Sequence, residues 1–219
     1  MVNKTKTKKK KGGQIDKEFY FQIGIIAILL LVIAFNLGKF SSGNIGGIGT
    51  VSASEIIPKG VPAIYGTEMG VSYDDVSPKN PKLADETIRK LAQYEETSLD
   101  NKTMERYVRI GSSISCEYCC GAKAIIFSNG QRACGCAHSF AMRGLAKYLL
   151  TKHPEMSDKE ILSELGKWKV LFFPGIHEQK AQVLESKGID SKDYINLASN
   201  LHRGIEQGKT SGGSMVGGC

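Results

Sequence analysis

The sequence predicts a mostly α-helical protein with a small β-hairpin. A Cys/His hairpin is followed by a helical bundle, and one transmembrane helix precedes both. Three observations predict this. Residues 19–38, FYFQIGIIAILLLVIAFNLG, run for about 20 residues without a charge, enough to cross roughly 30 Å of hydrocarbon as a helix. Residues 116–138, CEYCCGAKAIIFSNGQRACGCAH, hold five of the six cysteines around an Asn129-Gly130 pair. That pair, flanked by strand-forming residues, signals a two-residue hairpin turn with φ > 0, which brings its two ends together. From about Gly135 onward, apolar residues recur at helical spacing.

Taken in order, residues 1–18 form a basic, low-complexity tail. Seven lysines there face Asp16 and Glu18, a local net of +5 out of +7 for the whole chain. The remainder is close to neutral, and no basic patch with interleaved aromatics stands in it, which argues against a nucleic-acid partner. Lysines ahead of the apolar run place that side in the cytoplasm, so everything after residue 40 is expected outside, on a single-pass protein of the cell membrane. The partner implied for residues 19–38 is the lipid bilayer, with room for a membrane-protein partner. A cleaved signal peptide is the rival reading, since Val51-Ser52-Ala53 has small residues. That site lies well beyond the run, and the run is long for a signal sequence. Residues 39–54 read as a flexible Gly/Ser linker. Residues 55–82, with Pro58, Pro62, Pro78 and Pro81, read as extended chain laid across a domain surface. Asp74 and Asp75 are adjacent there and are expected to cap or face solvent.

The Cys/His hairpin and helices are expected over 83–207. Leu83, Ile88, Leu91 and Tyr94 share a helical face. Residues 101–110 fit a short helix capped by Thr103, or a strand from Tyr107 to Ile110. After the hairpin, Ala141, Leu145, Tyr148 and Leu149 share a face with Arg143, Lys147 and Lys152 off it, and Pro154 closes that helix. Ser157-Asp158-Lys159-Glu160 is a capping-box sequence that opens a helix with Ile161, Leu165 and Trp168 in line. A third helix runs from after Pro174 to about Ser186, with Gly188 as its stop. Asp190 or Ser191 opens a fourth, with Tyr194, Leu197, Leu201 and Ile205 in line. Residues 208–219 read as a flexible tail ending in Cys219.

The candidate ligands are Cys116, Cys119, Cys120, Cys134, Cys136 and His138. Zinc takes four N/S ligands in a tetrahedron, and a C-x-x-C turn presents two thiolates on one side of an ion. The first pair, Cys116 and Cys119, is spaced C-x-x-C; the second, Cys134 and Cys136, lies where the hairpin ends and a helix begins. Over residues 116 to about 150 this order resembles a treble-clef zinc finger. Two departures stand out: Cys120 intervenes before Gly121, and C-x-C-x-H replaces C-x-x-C at the helix. Six candidates thus compete for four places, with Cys116, Cys119, Cys134 and either Cys136 or His138 favoured. The surplus of soft ligands also suits Cu(I) or an iron–sulfur cluster. Cys136, His138 and Met142 follow the Cys–His–Met order of blue-copper loops, but at short spacing and without a β-sandwich pattern. A c-type haem needs C-x-x-C-H, which is absent.

Two other readings compete with metal. One is a membrane-tethered thiol–disulfide oxidoreductase: a helix N-terminus with Lys123 and Arg132 nearby would activate a thiol. The other is a disulfide-stabilised structural or interaction module outside the cytoplasm, where disulfides persist. Locally, Ala133–Ser139 (ACGCAHS) resembles the bacterial PCYCGC-motif proteins, and the resemblance implies a membrane-anchored, cysteine-rich extracytoplasmic protein without implying any catalytic residue. His153, His177 and His202 are expected at the surface or at helix ends. No Ser/His/Asp, P-loop or G-x-G-x-x-G pattern is present, so no catalytic residue is assigned. Cys219, on its Gly/Ser-rich tether, is expected either to reach the cluster or to be a plain terminal thiol.

Overall fold

The computed structural model describes residues 17–42, 51–207 and 215–217, with side chains in the first stretch described over 20–33. It divides into two compact units. The first contains helix α1, Lys17–Ser42, which covers the expected span. Every described side chain on it, from Tyr20 to Ile33, is exposed. Those fourteen residues rise about 21 Å as a helix. Among the described residues no helix is long and apolar enough to cross a membrane. Residues 1–16 of the expected basic tail and 43–50 of the expected linker lie outside the described residues, while 39–42 of that linker belong to α1.

The second unit is helical. Its first part corrects the expectation of extended surface chain over 55–82 with the folded domain starting at 83. Ser52 and Glu55 form a capping box on α2, Ala53–Ile56. Helix α3, Gly66–Met69, ends on Gly70 in the left-handed conformation. A 3₁₀ turn, Tyr73–Asp75, is closed by a second capping box from Ser72 and Asp75, and Asp74 Oδ2 accepts from the Gly60 N–H at 3.1 Å. The two adjacent carboxylates therefore stabilise local turns, as expected. Between these turns Tyr65, Met69, Val71, Tyr73 and Val76 enter the main core. The tyrosine hydroxyls explain why: Tyr65 and Tyr73 donate to Glu164 at 3.0 and 2.5 Å, and Trp168 Nε1 donates to the Tyr65 oxygen at 2.7 Å. Large aromatic surface is buried while each polar tip finds a partner.

Helix α4, Pro81–Ala92, starts with Asn80 as N-cap and Pro81 at its first position, where the missing N–H costs nothing. Residues 101–110 are helical within α5, Asn101–Ser112, capped by Asp100 rather than Thr103. One-turn helix α6, Glu117–Cys120, follows. Helix α7, Ala137–Lys152, is the centre of the unit. It packs on α4 so closely that a Cβ on Gly144 would stand 2.2 Å from the Leu91 carbonyl oxygen. Helix α8, Asp158–Phe172, has the predicted capping box of Ser157 and Glu160. Helix α9, Pro174–Ser186, is followed by Gly188 at φ 71°, as expected. The fourth helix is shorter than its pattern. It is α10, Tyr194–Ala198, capped by Asp193, and it breaks at Ser199 into a 3₁₀ turn, Asn200–His202. Leu201 is exposed as a result. The break lets Asn200 bind three separate carbonyl or hydroxyl groups: its Nδ2 donates to Ser112 O and Lys123 O, and its Oδ1 accepts from Ser115.

The expected β-hairpin is reduced to one antiparallel bridge, Ile126 to Arg132, with no strand among the described residues. Its turn also differs. Gly130 N–H donates to Phe127 O at 2.9 Å, so Ser128 and Asn129 occupy the corners, and Gly130 alone takes positive φ, at 79°. That is the three-residue hairpin geometry with glycine in the left-handed position, not the two-residue one. Beside the bridge, Phe127 N–H donates to Gln131 O at 2.7 Å and Ala133 N–H to Ile125 O at 3.2 Å, and side chains share the remaining carbonyls. Arg143 Nη1 donates to Ile125 O at 3.0 Å and to Cys134 O at 2.8 Å, and Asn200 holds Lys123 O. Each backbone group is satisfied without a further strand residue. The loop keeps the turn-back and the following helix of the treble-clef order without a named strand among the described residues.

Arg143, expected off the apolar face of its helix, is fully buried. Its Nε lies 2.5 Å from Glu95 Oε1, itself 5 % exposed. Glu95 also pairs with Arg132, at 2.9 Å. Removing one member of a buried pair leaves an uncompensated charge, at a cost of about 3 kcal/mol where a second partner remains. Arg143→Ala should therefore lower the melting temperature by roughly 6–12 °C, read by circular dichroism. A shift under about 2 °C would show that the clamp does not support the fold.

Candidate metal centre

The site is built by two turns and one long helix. Cys116 is the N-cap of α6, which ends after one turn at Gly121, φ 67°. One helical turn places Cys116 and Cys119 on the same side. Cys136 is the N-cap of α7. Arg143, one face down the same helix, holds the Cys134 carbonyl and so fixes the chain that leads into this cap. The loop thus folds back as the sequence implies, and the sulfurs meet.

Two overlapping groups result. The sulfurs of Cys116, Cys119 and Cys136 lie within 4.8 Å of one another, as do those of Cys120, Cys134 and Cys136. Cys120 and Cys134 form a disulfide across 14 residues. Cys116, buried, and Cys136, half-buried, are the free thiols among the described residues, with sulfurs 3.2 Å apart. Cys119 is a disulfide sulfur. Five of the six predicted ligand positions therefore converge.

His138 does not join either group. It is fully buried, its ring lies 4.6 Å from that of Phe172 and 5.1 Å from that of Phe173, and its Nε2 is 2.8 Å from the Val216 carbonyl oxygen. The helical turn that caps at Cys136 carries His138 into the core and outside both ligand groups. His138 keeps a hydrogen bond to Cys136, so it supports the cluster from the side. Met142 is a core residue.

The electrostatics separate the two free thiols. The hydrogen bond with Cys116 holds Cys136 well below the ordinary thiol range; burial opposes this, and bonds from His138 and Ser139 reinforce it. The Ser139 N–H donates to Cys136 Sγ at 3.4 Å, the usual N-cap contact now made to sulfur, where the helix dipole favours negative charge. Cys116 moves the opposite way, raised by its hydrogen bond with Cys136 and by burial. The two shifts are opposed, so Cys136 is the thiol of the pair that ionises first.

Behind Cys116 lies a buried polar group that the sequence analysis did not single out. Lys169, fully buried, sits 3.1 Å from Glu117 and donates to Ala198 O at 2.8 Å. Arg203 lies 3.1 Å from the other Glu117 oxygen and donates to Gly121 O at 3.1 Å, bracing the α6 turn. Burial brings Lys169 down to about 8, with Glu117 opposing. His177, expected at the surface or at a helix end, lies in the first turn of α9 but is fully buried, 2.9 Å from Phe173 O, and burial lowers its pKa. The available signal was a lone charge inside the apolar run Trp168–Phe173. His153 does sit at a helix end, 3.3 Å from Glu68.

No protein-family model, curated protein or solved structure matches this chain. The chemistry is therefore read from the site itself. Sulfur donors without carboxylates suit zinc or a softer ion and do not suit magnesium or calcium.

The thiol assignment has a direct readout. After chelation of any metal, iodoacetamide should alkylate Cys136 at pH 5 within a few-fold of its rate at pH 8, while Cys116 stays unmodified. A free thiol of ordinary pKa, about 8.5, would slow about tenfold per unit of pH; that behaviour at Cys136 would sink the assignment.

Proposed function

We propose that the protein is a single-pass, membrane-anchored metal-binding protein that holds one zinc or soft metal ion in its extracytoplasmic domain. One observation carries the metal reading: the mutual approach of the Cys116, Cys119 and Cys136 sulfurs to within 4.8 Å. A tetrahedral zinc ion with bonds near 2.3 Å sets its sulfurs about 3.8 Å apart, so the group needs little adjustment to close on an ion once Cys119 is reduced. Cys136, the more acidic of the two free thiols, is the first ligand; Cys116 and Cys119 lose protons as the ion binds. The Cys120–Cys134 disulfide holds the two arms of the loop at this separation. Cu(I) and an iron–sulfur cluster are the alternative occupants that the donor set allows.

The anchoring part rests on the sequence. The uncharged run 19–38 follows a lysine-rich start, the pattern that places lysines in the cytoplasm. A disulfide in the domain suits the oxidising side of a membrane. The local likeness of Ala133–Ser139 to PCYCGC-motif proteins agrees with the same topology.

One observation favours a second reading, thiol–disulfide exchange. Cys136 Sγ also lies within 4.8 Å of both sulfurs of the Cys120–Cys134 disulfide. Attack by the Cys136 thiolate on Cys134 would form a Cys134–Cys136 bond and release Cys120 as the thiolate, passing the disulfide from one pair to another without net oxidation.

Metal analysis of reduced, anaerobically purified protein separates these readings. The parent should carry about one ion per chain. Cys116→Ser and Cys136→Ser should each lose most of it and melt at lower temperature, since binding energy is also folding energy. Cys134→Ser should keep its metal. Protein that stays metal-free after zinc or copper loading, yet exchanges disulfides with a small-molecule dithiol, would replace metal binding with exchange.

Topology is tested separately. A membrane-impermeant protease added to intact cells should remove the domain beyond residue 50 and spare the N-terminal tail. Complete protection of the domain would reverse the orientation.

A further inference from the structure

The cysteine loop carries two sulfur groups that share one member. Within Cys116, Cys119 and Cys136, and again within Cys120, Cys134 and Cys136, each sulfur lies within 4.8 Å of the others. The surplus of ligands has a geometric cause. Successive residues on a helical turn point about 100° apart, so Cys119 and Cys120 on α6 diverge and feed different groups. The first group is the inner one, because Cys116 is buried; the second reaches the surface at Cys120, which is exposed. Cys136 joins them. As N-cap of α7, its sulfur stands 3.2 Å from that of Cys116 and accepts from the Ser139 N–H.

His138 adds no donor to either group. Its Nε2 meets the Val216 carbonyl oxygen. Val216, expected in a flexible tail, is 2 % exposed in the main core, with its N–H on Phe172 O at 2.9 Å. Cys219 lies outside the described residues, and both groups form without it. The donors are thus five sulfurs, of which Cys136 can serve twice, and that gives six donor places. Zinc takes about four donors per ion, so one zinc ion fills its shell and leaves too few for a second. Cu(I), which soft thiolates select, is satisfied by three in a plane. Three sulfurs around one ion, with metal–sulfur bonds of about 2.3 Å, stand about 4.0 Å apart. The sulfurs of each group need little movement to reach that spacing once the Cys120–Cys134 bond is open.

We propose that the fully reduced loop holds two Cu(I) ions bridged by the Cys136 thiolate, one on Cys116, Cys119 and Cys136 and the other on Cys120, Cys134 and Cys136. This rests on the metal reading and deepens it, naming the metal, a second site and the ligand that joins the two. The Cys120–Cys134 disulfide gates the outer site. A dithiol passes two electrons and two protons to it and leaves as its own disulfide; the disulfide at Cys119 opens in the same way. Each thiol then releases its proton to solvent as it binds, and copper stays Cu(I) throughout. The exposure of Cys120 makes the outer group the side from which dithiol and ion both arrive.

The test counts ions. The full chain is reduced, freed of small thiols under anaerobic conditions, and loaded with excess Cu(I) as its acetonitrile complex or with excess zinc. After desalting, the parent should retain about two copper ions but about one zinc ion. X-ray absorption at the copper edge should show a short copper–copper vector, a readout that needs no variant. Cys120→Ser and Cys134→Ser should each drop to one copper ion and show no such vector. A parent that retains a single copper ion, or two without the vector, overturns the bridged pair and leaves the one-ion reading standing. Two copper ions retained in both serine variants overturn it as well. A parent that retains neither copper nor zinc sinks the one-ion reading together with this one.

Discussion

The cluster depends on one buried charge. The Arg143 guanidinium, on the central helix, meets Glu95 and at the same time donates to the carbonyls of Ile125 and Cys134. The ring of Phe140 lies 4.7 Å beneath it. The two carbonyls belong to opposite arms of the cysteine loop. A single rigid fork therefore joins the arms to each other and both arms to α7. A lysine has no planar fork with which to do this. Without the clamp, the Ile125 and Cys134 arms lose their shared tie to α7, and the loop is left with the disulfide, its ladder bonds and the Asn200 and Arg203 contacts.

On this frame the two free sulfurs acquire unequal protonation. Cys136 has the helix end, a backbone N–H and the hydrogen bond with Cys116; Cys116 has burial and a neighbour that ionises before it. Two thiolates so close would repel, so one proton remains until something positive arrives. A metal ion meets that condition, and so does loss of the charge in a disulfide exchange. The same arrangement therefore serves both chemistries, and occupancy decides between them. The buried Lys169–Glu117–Arg203 group supports the α6 turn from behind. It places a partly compensated positive charge near Cys116, which lowers that thiol's pKa against the larger opposing effects.

Local rules carried far into the helical part. The Ser157 capping box, the stop at Gly188 and the α4 and α7 stripes were legible because caps and apolar periodicity act over a few residues. The 55–82 stretch was not. Its prolines and glycines describe turns correctly, yet whether turns lie on a surface or enter a core depends on distant partners. Glu164 and Trp168, roughly a hundred residues away, accept and cover Tyr65 and Tyr73. Arg143 was misplaced and Lys169 passed over for the same reason: a charge reads as exposed until the group that neutralises it is known.

The sequence by itself determined the composition of the site and its convergence. Five cysteines flank a loop that must turn back at Asn129-Gly130, and the pairs stand at a one-turn helix and a helix N-cap. Spacing of that kind is local, so it survives without knowledge of the rest. Tertiary structure decided how the six candidate ligands divide. It set Cys120 against Cys134, left Cys116 and Cys136 as the free pair, and turned His138 inward onto Phe172 and the Val216 carbonyl. The physical reason is that a ligand's direction is fixed by the element that carries it and by what that element buries. The helix beginning at Ala137 has to bury the face that holds His138, and this outweighs the placement that C-x-C-x-H spacing alone implies.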